Sequence, residues 1–289
     1  MQVTVGMPVF NGQASVSRAL LSLRQQTHRD IRIAVVDNQS DDRTREIVRS
    51  HERQDERVFL IEAGHAPASI NFQRALDQCS SDFFMWAAHD DLWHPTYIER
   101  SLAALGEDFD YCSPNWWVGM IDDYEGTGTP LHPLPFISSS SRRARVLSFI
   151  NLHHSSHKCN IVYSLFKSEL IREALTRQDV ADDGALGAVL CGLARGATCD
   201  DQLFFKDYGS RGHQSRRIVN RLASRLRPRQ EASFDQQKAA SLARLEGLFP
   251  EYRADVRRIF TSYLEYGSDS VLDAQVQQEV GELLGEPDR

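Results

Sequence analysis

No stretch of the sequence is long and apolar enough to suggest a membrane span. The longest apolar run covers residues 184–194, about half of the ~20 residues a spanning helix needs. Cysteine is sparse and unpatterned: Cys79, Cys112, Cys159, Cys191 and Cys199 include no C-x-x-C pair. That argues against a zinc site or a disulfide framework and for reduced thiols in a cytosolic protein. The chain passes from Met1 almost directly into an alternating apolar segment, without a basic stretch and a long apolar one behind it. No signal peptide is therefore expected. Excess positive charge is also missing, since 33 basic and 40 acidic side chains leave a net −7; nothing in that total suggests a nucleic-acid partner. The glycine fingerprint G-x-G-x-x-G does not follow the first apolar segment, where Pro8-Val9-Phe10-Asn11-Gly12 stands instead. Gly126-Thr127-Gly128 lies in a loop and lacks the third glycine, which counts against a nicotinamide dehydrogenase. A glycine-rich, arginine-containing loop of the sugar nucleotidyltransferase kind is absent from the same place. There is no internal repeat.

What is present is an ordinary globular composition, 41% hydrophobic and 25% charged over 289 residues. It suits one large α/β domain with an accessory piece, or two small domains. Residues 3–10 are short, β-branched and end at Asn11-Gly12, a turn signal. Val16, Leu20, Leu21 and Leu23 then recur at helical spacing. Strands are expected at residues 31–36, 58–61 and 83–88, with helices at 44–51 and 69–79 between them. This β-α-β-α-β-α-β order predicts a mostly parallel sheet with helices on both faces. The polar clusters after Val9, Val36 and Ala88 all sit at strand carboxyl ends, where such sheets bind ligands. Further on, a helix is expected at 97–105, strands at 111–120 and 161–166, and a helix at 186–193. Residues 126–141 read as a mobile loop over the site, and the chain beyond about Gly209 as a helical appendage.

Asp90 and Asp91 supply adjacent carboxylates at the end of a buried strand. A hard divalent cation takes one or two carboxylates plus phosphate oxygens, and it would neutralise a departing diphosphate. A bare pair of aspartates is equally a helix cap or a solvated turn.

Four ordered motifs make the reading more specific. Gly6-Met7-Pro8-Val9-Phe10-Asn11-Gly12, Ser22-Leu23-Arg24-Gln25-Gln26-Thr27, Asp37-Asn38-Gln39-Ser40-Asp41-Asp42-Arg43-Thr44 and Phe84-Met85-Trp86-Ala87-Ala88-His89-Asp90-Asp91 resemble those of family-2 glycosyltransferases of the GT-A fold. The likeness runs from about residue 3 to about residue 215. It implies a GT-A domain over 1–215 and a C-terminal helical extension over 216–289. It also implies a nucleotide-sugar donor, probed first as UDP-linked with thymine and guanine as alternatives, and a saccharide or lipid-linked acceptor. Transfer would proceed with inversion, assisted by Mn2+ or Mg2+.

By position, the resemblance gives the metal and diphosphate role to Asp91, with Asp90 alongside. The backbone around Pro8, Val9 and Asn11 would line the nucleotide pocket, and Asp37, followed by Asn38, would accept from the N3–H of a uracil or thymine. Asp42 would touch the nucleotide or cap the following helix. Asn71 and Arg74 border the donor site in a stretch resembling N-x-x-R, where Arg74 would grip phosphate or face solvent. An inverting enzyme needs a base for the incoming hydroxyl. In the family this is an acidic residue in a pattern like A-D-x-x-L-L, matched here by Ala181-Asp182-Asp183-Gly184-Ala185-Leu186. Asp183 is the first choice and Asp182 the second; the alternative is that both simply begin a helix. Gly184 and Gly187 depart from the bulkier residues usual there and leave the register open by one.

His213, after Phe204-Phe205-Lys206-Asp207, resembles a late element whose histidine completes the metal shell; an exposed loop position is the alternative. His153, His154 and His157 match zinc-site spacing poorly. Trp116 and Trp117 would face opposite sides of a strand, so at most one of them stacks on an acceptor sugar. Residues 211–229 carry seven arginines and read either as a basic helix on an anionic membrane or as a helix packed on the domain. The tail could also supply a homodimer contact. The expected location is the cytoplasm or, peripherally, the inner face of the plasma membrane, and the expected use is cell-surface polysaccharide or glycolipid synthesis. The rival from another class is a GT-A-like module that binds a sugar nucleotide or a partner glycosyltransferase without turnover.

Overall fold

The computed structural model describes residues 1–119, 129–131, 134–152, 158–207 and 234–266. Its central strand, β1 (Val3–Val9), is buried at every position, as a strand covered on both faces must be. It pairs in parallel with β2 (Ile31–Asp37) on one side and β4 (Phe83–Trp86) on the other, and β3 (Val58–Glu62) adds in parallel beyond β2. The crossovers are α1 (Val16–Arg24), α2 (Thr44–Gln54) and α3 (Ala68–Asp77). In α1 the buried set Val16, Ala19, Leu20 and Leu23 follows the i, i+3, i+4, i+7 stripe of a helix lying on a sheet. The chain steps outward from β1 to β2 to β3 and then returns past β1 to β4. Right-handed crossovers in opposite directions put α3 on the face away from α1 and α2. The reversal between β1 and β4 leaves a crevice at their carboxyl ends, the usual ligand position in such sheets.

Beyond β4 the sheet becomes mixed. β8 (Leu165–Lys167) runs antiparallel to β4 and to β6 (Tyr111–Gly119). β6 lies parallel to β9 (Gly196–Asp207), whose far end pairs antiparallel with β5 (Leu92–Trp93), while β7 (Thr129–Leu131) pairs antiparallel with β6. The order is β3-β2-β1-β4-β8-β6-β9-β5. The antiparallel pairings are short, and the long β6–β9 pairing is again parallel, so the sheet is mixed but mostly parallel. Of residues 161–166, expected as strand, the first three close a 3-10 turn (Lys158–Tyr163), and the strand proper is Leu165–Lys167. β9 shows no sequence signal because acidic and small residues break its alternation, and its register with β6 slips around Asn115. Part of the expected loop at 126–141 lies outside the described residues; within it Thr129–Leu131 is strand and Pro135–Ser138 a 3-10 turn.

Four more helices complete this part: α4 (Tyr97–Leu105), α5 (Arg142–Asn151), α6 (Ser168–Arg177) and α7 (Asp183–Leu193). Two C-terminal helices, α8 (Phe234–Leu248) and α9 (Arg253–Tyr266), pack against α7 and α5. Leu245, Phe249, Val256 and Ile259 join the main core. A Cβ on Gly192 would come within 2.8 Å of the Phe249 ring, so the absence of a side chain there lets the aromatic seat on α7. Arg142 lies over the rings of Phe249 and Tyr252, and Arg143 pairs with Asp255 at 3.1 Å. The expected boundary between 215 and 216 falls outside the described residues. Among those described, no helix is long and apolar enough to cross a membrane.

Candidate functional site

The loops after β1 and β2 are bolted together. Asn11 and Gln39 both have left-handed backbones, with φ of 50° and 64°, a conformation non-glycine residues rarely adopt outside tight turns. The Asn11 N–H donates to Ser40 Oγ (2.9 Å), and Asn11 Oδ1 accepts from the Asp41 N–H (3.0 Å). The Gly12 N–H donates to Thr44 Oγ1 (2.8 Å). A Cβ on Gly12 would lie 2.7 Å from Val9 Cγ2 and 3.1 Å from His89 Nδ1, which is why the turn can close against β4. Asp42 accepts from the N–H groups of Thr44, the first residue of α2 (2.9 Å), and of Gln13 (3.1 Å). Pro8 and Val9 are buried within β1, so only backbone from this segment could reach a ligand.

At the end of β2, Asp37 is 1% exposed. Its Oδ2 accepts from the Ser40 N–H (3.0 Å) and lies 3.8 Å from Arg45 Nε. Its Oδ1 is buried with no hydrogen-bond partner, as is Asn71 Oδ1 nearby, whose amide donates to Val36 O. A buried acceptor left unpaired is costly unless a ligand completes it. Residues 63–67 wall this end. Asn38 grips Ala66 by both its N–H and its carbonyl (2.9 and 2.8 Å), and Arg74 donates to Gly64 O (2.6 Å). The Phe10 ring, 46% exposed, meets His65 at 5.6 Å.

The acidic end of β4 divides its two aspartates. Asp91 is wholly buried; its Oδ2 accepts from Lys206 Nζ (2.8 Å) and its Oδ1 from the Asp207 N–H (3.1 Å). Burial pushes its carboxyl up to about 7, against the pull of Lys206. Burial alone would lower the Lys206 ammonium, but Tyr163, Asp91 and Asp90 outweigh it and hold it charged. Both Asp91 oxygens thus point inward, onto Lys206 Nζ and a backbone N–H. Asp90 is the partly exposed member, and its carboxylate takes no hydrogen bond from a described residue. Its backbone carbonyl accepts from Arg18, which also pairs with Asp207. His89 Nδ1 lies 3.0 Å from Ser15 Oγ.

Tyr163 links this cluster to α7. Lys206 Nζ sits 4.9 Å from its ring centroid. Burial raises its phenol to about 12, aided by the carboxylates of Asp91, Asp90 and Asp183 against the pull of Lys206. Asp183 is therefore within electrostatic reach of the same cluster. Asp182 is spoken for: its Oδ1 caps α7 by accepting from the Ala185 N–H (2.9 Å), and its Oδ2 pairs with Arg244. Asp183, next along, is exposed and has no described partner.

His213, residues 211–229 and His153, His154 and His157 lie outside the described residues. Trp116 is 2% exposed and belongs to the core, so it is not available to an acceptor; the Trp117 side chain is not described. Among the described residues no three His, Cys, Asp or Glu side chains gather to hold an ion. An ion here would depend on Asp90 plus ligand phosphates, a donor set that suits Mn2+ or Mg2+. Sequence reasoning assigned no role to Tyr163, Lys206 or Arg18. Tyr163 stood in the expected strand 161–166 and Lys206 in the quoted stretch 204–207, but only as flanks.

Comparison with known proteins agrees with this frame. An uncharacterized glycosyltransferase of Rickettsia typhi is 27% identical over 166 residues, covering 55% of this chain and 49% of that protein. The GalNAc(5)-diNAcBac-PP-undecaprenol beta-1,3-glucosyltransferase of Campylobacter jejuni is 30% identical over 92 residues, covering 31% of this chain and 30% of its own. The chain thus spans about half or less of these relatives. Among solved structures, residues 1–349 of S. aureus TarS in complex with UDP-GlcNAc align with a TM-score of 0.58 at 16% identity, over 91% of this chain and 72% of that one. The mannosyltransferase PcManGT of Pyrobaculum calidifontis, in complex with GDP-Man and Mn2+, aligns with a TM-score of 0.50 at 17% identity, over 98% and 80%. These likenesses speak to fold. The family profile described as Glycosyl transferase family 2 matches residues 4–171, more than half of the chain, and on that match the protein belongs to glycosyl transferase family 2.

Proposed function

We propose that the protein transfers a sugar from a nucleoside-diphosphate donor to an acceptor hydroxyl with inversion at the anomeric carbon. The observation that carries this reading is the buried, unpartnered Oδ1 of Asp37 at the switch-point crevice. A carboxylate oxygen there can accept the imide N–H of a uracil or thymine, and a uridine donor is the first choice. The exposed Phe10 ring offers a face beside it. At the other end, Asp90 with the donor phosphates would hold Mn2+ or Mg2+, which supplies charge neutralisation for a leaving diphosphate. Arg18 and Lys206 are fixed in place by Asp207 and Asp91 and add preorganised positive charge beside Asp90. Asp183 accepts the proton of the acceptor hydroxyl as its oxygen bonds to the anomeric carbon. The bond from that carbon to the diphosphate oxygen breaks, and the electron pair leaves with the phosphate.

The C. jejuni relative's name specifies an undecaprenol-linked acceptor, and another relative is named a putative teichuronic acid biosynthesis glycosyltransferase. A lipid-linked or polysaccharide acceptor in cell-surface assembly follows as the working choice. The test is release of nucleoside diphosphate from a panel of UDP-, TDP- and GDP-sugars with Mn2+. Turnover of one of them that is lost in Asp183→Asn and Asp90→Asn supports the reading. Tight donor binding with no release by the unaltered protein would instead mark a non-catalytic binding module.

A further inference from the structure

Among the described residues, one ion pair joins the C-terminal helix pair to the start of α7. Arg244 of α8 pairs with Asp182, the residue that caps α7, immediately before Asp183. The cap is made from both sides. Within the turn, the Ala181 N–H donates to Asp179 Oδ1 (2.8 Å) and the Asp182 N–H to Asp179 O (3.3 Å). From α7, the Ala185 N–H donates to Asp182 Oδ1. The remaining oxygen, Oδ2, is held only from α8 among the described residues. α8 itself is fixed: Leu245 and Phe249 are buried in the core, and Arg257 of α9 grips Glu246 with two bonds of 2.8 and 3.0 Å. Downstream of the cap, α7 is buried from Ala185 to Gly192 and cannot shift. Its exposed first turn, which carries Asp183, has no such packing.

We infer that Arg244 is a positioning residue: through Asp182 it sets the first turn of α7 and so holds Asp183 at its working distance from the anomeric carbon. This rests on the assignment of Asp183 as base under the proposed function. The residue never meets substrate. It lies in the helical extension, 73 positions beyond the end of the family match at residue 171 (244 − 171), so the extension becomes part of the catalytic apparatus and not an ornament on it.

The test compares Arg244→Ala, Arg244→Lys, Asp182→Asn and Asp183→Asn in the full chain. The readouts are UDP release from the fastest nucleotide sugar of the panel, UDP affinity by calorimetry, and melting temperature. Asn caps a helix as well as Asp, so Asp182→Asn removes the charge and keeps the cap. Arg244→Ala is expected to lower kcat about 5- to 50-fold, short of the roughly 100-fold that a 1 Å misplacement can cost. KM for the donor and UDP affinity should stay within about twofold. Arg244→Lys should recover most of the rate, and Arg244→Ala combined with Asp182→Asn should be no slower than either alone, because one interaction is removed once. An unchanged kcat in Arg244→Ala while Asp183→Asn is inactive overturns the inference and leaves the function standing. Full activity in Asp183→Asn overturns both. A loss that lysine does not restore, or that follows melting temperature or UDP affinity instead of kcat, assigns Arg244 to general stability and also overturns the inference.

Discussion

Exchanging each member of the aspartate pair for asparagine should give opposite outcomes. Asp91→Asn is close to isosteric but removes the charge that pairs with Lys206 at 2.8 Å. Breaking a buried pair from one side costs about 3–5 kcal/mol, because the other charge is left uncompensated. Two features of the site reduce this. The Lys206 side chain keeps 22% exposure, and burial already opposes ionisation of Asp91, whose carboxyl is raised to about 7. The expected loss is therefore about 2–3 kcal/mol, or roughly 5–10 °C in melting temperature for a domain of this size. The Asp90 carboxylate has no hydrogen bond among the described residues to lose, so Asp90→Asn should move stability by no more than about 0.5 kcal/mol. Its cost should appear in function: nucleotide release lowered by about 100-fold or more, and loss of the extra UDP affinity that Mn2+ confers. Thermal unfolding of both variants, with UDP titrations with and without Mn2+, reads the two effects separately. If Asp91→Asn melts like the parent and loses the Mn2+ response, while Asp90→Asn keeps it, the division of labour drawn from burial is wrong.

Asp37→Ala should weaken UDP binding by about 10- to 100-fold, the worth of one hydrogen bond to a charged acceptor, and cost about 1–3 kcal/mol of stability because the buried Ser40 N–H loses its acceptor; calorimetry and thermal unfolding read the two effects. Gly187→Ala places a Cβ 2.2 Å from Phe149 Cζ, and overpacking of about 1–3 kcal/mol should appear as a lower urea midpoint. His51 is buried between Ser17 Oγ (3.0 Å) and Arg24 Nη1 (2.9 Å), and burial, then the Arg24 charge, lower its pKa. The unfolded chain then takes up a proton that the folded chain refuses. Stability is complete above the ordinary histidine value of about 6.5 and falls as the pH drops below it. Urea midpoints at pH 7.5 and 5.5 should show the fall, and His51→Gln should reduce it.

The first half of the molecule was legible because its physics is local. The continuous apolar runs of β1 and β2, the 3.6-residue stripe of α1 and the Asn11-Gly12 turn each announce their element and fix a parallel sheet with its crevice. α5 was not legible for the opposite reason: Arg145, Ser148 and Asn151 are buried together with its apolar residues, so its polar letters do not mark a solvent face. β9 hides behind its acidic residues. In the site, Asp37 closes β2 and the 182–183 pair opens α7, but which member of an adjacent pair turns inward cannot be read from two identical letters. That choice depends on a lysine 115 residues away from Asp91, delivered by a strand with no sequence signature, and on Arg244 in the case of Asp182.

That long-range dependence bears on where the protein can be divided. The segment most readily recognised ends at residue 171, before Asp183, Lys206 and Asp207 have entered the chain. A fragment stopped at that border would retain the nucleoside end of the crevice. It would also bury Asp91 without its counter-ion and, on the proposed function, lack the base Asp183. The recognisable unit and the working unit are different lengths of the same polypeptide, and the difference is spent on completing charge balance at one strand end.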